Sequence, residues 1–350
     1  MERNTSSTHP SLPARYETPR NFWDRVLRLT RQPTVRVYHG YGDADRILVQ
    51  GHVLLRAPTP GAEKYRHDVI RNTLALLRLF AVTPAASARV IIRFGSEEHE
   101  VMTGEDGFFS YEWKTAEDMT PGWMPVRAVV AGHEDISGEG KIYVPPPARY
   151  GFVSDIDDTF LISHSAQLGK RLQVLFTRNP RTRKPFEGVV DHYRDLALAH
   201  TTPEAPNPFF YVSSSEWNLY EYIKEFCRHH GLPEGVFLLR EIKQLSSFFK
   251  TGQGSHGGKY DRVTRIMSEF PQLCYVLLGD DSQQDPEIYL RCIEAHPGLV
   301  KYVYIRHRVK ARLPEVRKIE EKMKAAGVEV CYFTHSKTAQ EHSRRVGLTG

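Results

Sequence analysis

Three carboxylates crowd into four positions at Asp155-Ile-Asp157-Asp158, directly after the apolar stretch Tyr150 to Val153. Like charges packed this closely must be offset by a cation or by protonation. A hard divalent ion does so with oxygen ligands while keeping waters that leave room for a phosphate, which points to Mg²⁺. A second acidic group, Asp280 and Asp281 with Asp285, follows the apolar run Tyr275-Val-Leu-Leu278, and Gly279 lets the backbone turn sharply there. Asp280 or Asp281 can reach the same ion from a neighbouring strand. Asp285 opens the next helix, where it can serve as cap and dipole partner or stand behind the metal ligands. Taken alone, the first run could be an acidic turn that caps a helix. Two such runs, each at the end of an apolar strand, favour a metal.

Two further positions suit a phosphate. Ser213, in Tyr211-Val-Ser213-Ser-Ser-Glu-Trp217, offers a hydroxyl and a backbone N–H beside a helix start, with two more serines left to cap. Lys259, in His256-Gly-Gly-Lys259-Tyr260, can neutralise a carboxylate nucleophile and a phosphate together. That stretch is not a P-loop, because Gln253 stands at the first glycine position, Tyr260 replaces Ser or Thr, and no strand precedes it.

The elements that must position these residues alternate in type. Apolar runs at Tyr150 to Val153, Phe209 to Val212, Val236 to Leu239, Tyr275 to Leu278, Val300 to Ile305 and Val328 to Phe333 read as strands. Amphipathic patterns at Val189 to Ala199, Glu216 to His229, Tyr260 to Phe270, Pro286 to Ala295 and Pro314 to Ala326 read as helices. This alternation predicts an α/β domain with a parallel, Rossmann-like sheet covered on both faces, whose ligands bind at the carboxyl ends of the strands near a switch point. Asp155, Ser213 and Asp280 all fall at such ends.

Upstream the rhythm differs. Thr34 to Tyr38, Ile47 to Val49, His52 to Leu55, Arg89 to Phe94, Phe108 to Trp113 and Val126 to Val130 are short β-like runs broken by Gly and Pro, which predicts a β-sandwich-like domain. One helix is expected within it, at Tyr65 to Phe80. Pro145-Pro-Pro147 marks the boundary. The expected organisation is a disordered leader over 1–30, an accessory domain over 31–146, a catalytic domain over 147–335 and a frayed polar tail over 336–350.

Composition narrows the class. With 350 residues, 40% hydrophobic and 25% charged, the chain reads as a soluble two-domain protein on a prior of roughly 150 residues per domain. No apolar run approaches the roughly 20 residues that cross a bilayer, and Met1 to Arg20 holds no apolar stretch that could act as a secretory signal. Cys227, Cys274, Cys292 and Cys331 are spaced too widely for a disulfide frame or a zinc site, which suggests reduced thiols and a cytoplasmic setting. The net charge of +5 is modest and gives no reason to expect nucleic acid as a partner. Nothing names a protein partner.

The order Asp155-x-Asp157-x-Thr159, strand-end Ser213, Lys259, then Gly279-Asp280 with Asp285 resembles the haloacid dehalogenase superfamily. Ser154 to Thr159, Pro185 to Val189, Tyr211 to Tyr220, Gly279-Asp-Asp281, Gln284 to Tyr289 and Tyr304-Ile-Arg306 resemble, more narrowly, the actin-patch phosphatidate phosphatase family, related to the catalytic domain of lipins. The similarity runs from about Tyr150 to Arg308. It implies a haloacid dehalogenase sheet with a small cap. It also implies a Mg²⁺-dependent phosphatase, with phosphatidate as substrate and diacylglycerol as product. In the family's scheme Asp155 attacks phosphorus, and Asp157 is first acid and then base. Asp155, the backbone carbonyl of Asp157, and Asp280 hold the metal, while Thr159, Ser213 and Lys259 bind the phosphoryl group. The family usually has Ser where this chain has Asp281, which leaves the choice between Asp280 and Asp281 open.

Between Thr159 and Phe186 there is no Asp or Glu, while Lys170, Arg171, Arg178, Arg181, Arg183 and Lys184 fall inside that stretch. Mixed with Leu172, Val174, Leu175 and Phe176, these cations suit peripheral docking on an anionic lipid membrane that presents phosphatidate; the same residues also suit an ordinary solvated loop. Two other functions stay open: a phosphatase of a soluble small molecule or phosphoprotein, and an inactive binding or adaptor protein.

Overall fold

The computed structural model describes residues 29–30, 32–58, 78–160, 183–240 and 257–350. Its first region is a ten-stranded, mostly antiparallel array of β1 (Leu29–Thr30), β2 (Thr34–Val37), β3 (Gly40–Gly42), β4 (Ile47–Pro58), β5 (Thr83–Pro84), β6 (Arg89–Phe94), β7 (Glu97–Met102), β8 (Phe108–Trp113), β9 (Gly122–Val130) and β10 (His133–Val144). The long β4 pairs with β1, β2, β3, β5 and β8, so hydrogen bonds join all ten strands instead of leaving two separate sheets. One core lies inside, built from the inward positions of β2, β4, β6, β8, β9 and β10, with Val53, Ile92 and Ala128 wholly buried. Strict alternation shows best in β7, Glu-Glu-His-Glu-Val-Met, where half-buried and exposed residues take turns. Of the helix expected at 65–80, only 78–80 lie among the described residues, and they are helical.

The second region is a six-stranded sheet, ordered β13-β12-β11-β14-β15-β16. In chain order its elements are β11 (Tyr150–Ser154), α1 (Val189–Ala197), β12 (Phe209–Glu216), α2 (Tyr220–His230), β13 (Val236–Arg240), α3 (Gly257–Glu269), β14 (Cys274–Asp280), α4 (Asp285–Ala295), β15 (Val300–Arg306), α5 (Leu313–Ala325), β16 (Glu329–Phe333) and α6 (Ser336–Arg345). Every strand pair is parallel. The chain steps outward from β11 to β12 and β13, then crosses back to β14 and continues the other way. The switch point therefore lies between β11 and β14.

Both faces of this sheet are covered, which is why the middles of its strands are apolar and their polar residues fall at or near the ends. Phe152, Phe209, Tyr211 and Leu278 pack with Tyr193 and Leu196 of α1 and Phe226 of α2. Val153, Phe210, Leu277 and Val303 pack on the other side with Ile266 of α3, Ile288 of α4 and Met323 of α5. Each large apolar side chain buried in this way contributes roughly 1.5–3 kcal/mol before entropy is counted. Gly231, at φ 70, ends α2 in the left-handed conformation that stops a helix. The insertion between Thr159 and Phe209 contributes part of this packing, since its second half is α1.

The two regions are joined closely. Tyr38 stacks on Trp217, ring centroids 4.0 Å apart, and the His39 backbone N–H donates to Tyr220 Oη at 3.0 Å. Asn218 Nδ2 donates to the Leu79 carbonyl at 2.8 Å. A cleft of about 840 Å³ lies beside this seam, against α2 and the amino end of β13, and not at the strand ends where the acidic runs lie.

Two expectations need correction. The tail over 336–350 is not frayed: α6 buries Ala339, and Leu348 beyond it is wholly buried. Arg183 is also buried, with 1% of its surface exposed, so it cannot form part of a membrane-facing patch. Lys184 is exposed, while Lys170, Arg171, Arg178 and Arg181 lie outside the described residues.

Candidate active site

The site forms where β11 and β14 end side by side. Asp155 leaves β11 with its N–H still donated to the Leu278 carbonyl of β14, at 2.8 Å. Ser154 Oγ donates to the Asp155 carbonyl at 2.7 Å, fixing the turn from beneath. Asp158 then takes φ 58, a left-handed conformation that Asp tolerates better than most residues. This folds Thr159 back, so that its hydroxyl lies 3.2 Å from both Asp155 Oδ2 and Asp280 Oδ2. Arg306, at the end of β15, secures the loop by donating from Nε to the Thr159 carbonyl at 2.9 Å. Its other nitrogens go to the Thr334 carbonyl and Ser336 Oγ, so one buried guanidinium ties the acidic loop to the start of α6.

Asp155, Asp280 and Asp285 offer carboxylate oxygens that lie within 4.8 Å of one another, and all three residues are buried. Lys259 Nζ donates to Asp155 Oδ1 at 2.7 Å and also to Asp285 Oδ1. Gly279 makes this closeness possible, because a Cβ there would sit 2.5 Å from Asp285 Oδ2 and 2.8 Å from Tyr289 Oη. Burial pushes the Asp155 carboxyl well above the usual carboxylate range; Lys259 opposes that, and Asp285, Asp280 and Asp157 add to it. Asp280 is pushed up to about 7, first by burial and then by Asp285. Burial works against the Lys259 charge, yet Asp155 and Asp285 outweigh it and hold the ammonium protonated. With all three ionised, as a bound divalent cation would favour, three carboxylates facing one ammonium would leave two negative charges in excess, all on hard oxygen donors. That is the charge and donor set a divalent cation fits.

Asp157 faces the other way. Ser215 Oγ donates to Asp157 Oδ2 at 2.6 Å and Ser213 Oγ does so at 3.4 Å, while the Ser215 N–H donates to Ser213 Oγ at 2.9 Å. The end of β12 therefore holds the Asp157 carboxylate away from the three-carboxylate group. Arg262, one turn after Lys259 on α3, donates from Nη2 to the Ser213 carbonyl at 3.0 Å.

Asp281 and Asp280 part company. The Asp281 carboxylate accepts from the Arg308 and Val309 N–H groups, at 2.5 and 3.0 Å, and from Tyr332 Oη at 2.5 Å, and lies 2.7 Å from His307 Nδ1. It serves the loop after β15 and is not in the group with Asp155. Asp285, read from sequence as helix cap or outer partner, is in that group, and its Oδ2 also accepts the Asp280 N–H at 3.3 Å. Sequence reasoning offered Ser215 as a helix cap, where it instead donates to Asp157, and gave no role to Arg262 or Arg306. Of these two arginines only Arg306 carried a signal, as a cation closing the strand Val-Lys-Tyr-Val-Tyr-Ile-Arg.

Residues 150–307 match the family described as "Phosphatidate phosphatase APP1, catalytic domain". That stretch, a little under half of the chain, is APP1-like. A "Phosphatidate phosphatase APP1" of Saccharomyces cerevisiae is 30% identical over 182 residues, 51% of this chain and 29% of that protein. An uncharacterized protein of Schizosaccharomyces pombe is 21% identical over 250 residues, 68% of this chain and 38% of that one. The chain thus spans well under half the length of these two relatives. A carbohydrate acetylesterase from Xanthomonas citri overlays 90% of this chain and 74% of its own, with 8% identity and a TM-score of 0.33, too low to define a shared fold. The APP1-like match covers β11 to the end of β15 and so contains Asp155, Asp157, Thr159, Ser213, Lys259, Asp280 and Asp285.

Proposed function

We propose that this protein is a Mg²⁺-dependent phosphomonoester hydrolase of haloacid dehalogenase type, acting on phosphatidate through an aspartyl-phosphate at Asp155. One observation carries this reading: at the switch point, Asp155 is held by Lys259 on one oxygen and Thr159 on the other, while the strand-end serines hold Asp157 separately. This separation supports a reading in which one carboxylate attacks and the other moves protons. Asp155, Asp280 and Asp285 are the residues that would hold the ion, directly or through water. When bound, it would supply a positive charge to offset that of the phosphoryl oxygens.

In the first step an Asp155 carboxylate oxygen bonds to phosphorus as the bond to the leaving oxygen breaks, and protonated Asp157 gives its proton to that oxygen. In the second, Asp157 takes a proton from water, the water oxygen attacks phosphorus, and the Asp155 carboxylate is released with inorganic phosphate. Lys259, Thr159 and Ser213 orient and neutralise the transferred group.

Phosphatidate is the substrate named by the yeast relative, and among the described residues no helix is long and apolar enough to cross a membrane. A peripheral approach to lipid fits both. The test is turnover of phosphatidate in mixed micelles against soluble phosphomonoesters, with and without Mg²⁺. Preference for the micellar lipid supports the substrate; equal or faster soluble turnover moves the enzyme to the soluble class.

A further inference from the structure

Lys259 and Arg262 sit three positions apart on α3 and so share one face of the helix. Lys259 is matched by Asp155 and Asp285, but among the described residues no carboxylate is hydrogen-bonded or ion-paired to Arg262. Its Nη2 donates to the neutral carbonyl of Ser213 at 3.0 Å, and its Nε is buried without a hydrogen-bond partner among the described residues. Burial draws its proton affinity down to about 10, and Arg240 at the end of β13 repels it, while Asp261, exposed at the neighbouring position, acts the other way. The guanidinium also lies back over the helix start, where a Cβ on Gly258 would stand 3.4 Å from its Nη1. That end of α3 carries the positive pole of the helix dipole.

A cation largely withdrawn from water, beside a second arginine and a positive helix end, is unfavourable until an anion arrives. We propose that Arg262 is a positioning residue for the phosphoryl group: it ties α3, which carries Lys259, to the Ser213 end of β12. Its charge is balanced only when the substrate phosphate occupies that end of the site. This rests on the phosphatase reading above and extends it, since it gives the phosphate side of the site a cation paired with no carboxylate among the described residues. Arg262 acts through Ser213 and through the local field, not as a group that exchanges protons or forms bonds.

The test is thermal unfolding of the full chain in Mg²⁺, with and without inorganic phosphate, for the wild type, Arg262→Met and Arg262→Gln. The wild type should gain melting temperature on adding phosphate, and Arg262→Met should lose at least half of that gain. The glutamine variant keeps an N–H for the Ser213 carbonyl but no charge. It should lose the gain as well, and its KM for p-nitrophenyl phosphate should rise on the order of tenfold, the size of losing about one charge-assisted contact. A glutamine variant that keeps the full phosphate-induced gain reduces Arg262 to a structural tie and overturns the proposal. A wild type with neither phosphate-induced gain nor turnover overturns the phosphatase reading and this inference together.

Discussion

The two sheets of this protein treat polar residues in opposite ways. In the antiparallel region, β7 turns every second residue to solvent, and Glu98 there pairs with Arg93 at 2.7 Å on the surface. In the parallel region, all seven residues of β14 from Cys274 to Asp280 are at least partly covered, and the polar one stands at the carboxyl end. A polar side chain on the first sheet carries little information, because water can satisfy it anywhere along a strand. On the second, helices cover both faces, so a carboxylate survives only at a strand end with a partner. Asp155 and Asp280 are such residues, and they meet because β11 and β14 are neighbours.

The contrast can be broken or sharpened by substitution. Asp280→Asn should have a large effect. It removes one of three carboxylates from the buried group, and the Mg²⁺ needed for half-maximal activity should rise by about 100-fold or more, read from metal titrations of turnover. An unchanged metal requirement would remove Asp280 from the ligand set.

His39, on the seam between the sheets, gives a mid-sized effect. Burial lowers its pKa from 6.5 to about 4 in the folded chain. A base whose folded pKa is depressed is neutral in both states above about pH 6.5. As pH falls below that, the unfolded chain takes up the proton first, and stability is lost down to about pH 4. The full loss is on the order of 3 kcal/mol. Burial lowers His52 and His192 in the same sense. Denaturant melts between pH 7 and 4 should therefore fall steeply for the wild type and less steeply for His39→Gln; equal slopes would contradict the assignment. The smallest effect belongs to the first sheet. Glu98→Gln removes an exposed ion pair and should change stability by less than about 0.5 kcal/mol and turnover not at all.

The same contrast explains what the sequence made legible. Apolar runs bounded by helical patterns announced β11 to β16, and the acidic runs after two of them announced Asp155 and Asp280. β7 and β10 went unread, because Glu-Glu-His-Glu-Val-Met and the Gly-rich, charged stretch from His133 to Val144 look like loop until partner strands are in place. α6 was missed for a related reason. Ser-Lys-Thr-Ala-Gln-Glu-His-Ser-Arg-Arg is almost wholly polar, and it packs through Ala339 and His342 with help from Leu348. Within the site, the choice between Asp280 and Asp281 depended on Tyr332, fifty-one positions away in sequence. The closeness of Asp285 depended on Gly279 having no side chain. Contacts of that kind are fixed by tertiary packing and leave no local pattern.

The central claim is that Asp155 becomes phosphorylated during turnover. It is tested most directly by acid-quenching the enzyme with Mg²⁺ and a phosphomonoester radiolabelled on phosphorus, then mapping the labelled peptide. The account predicts label on Asp155 in the wild type, and neither label nor turnover in a folded Asp155→Asn variant. Turnover that persists in Asp155→Asn, or label found on another residue, would contradict it.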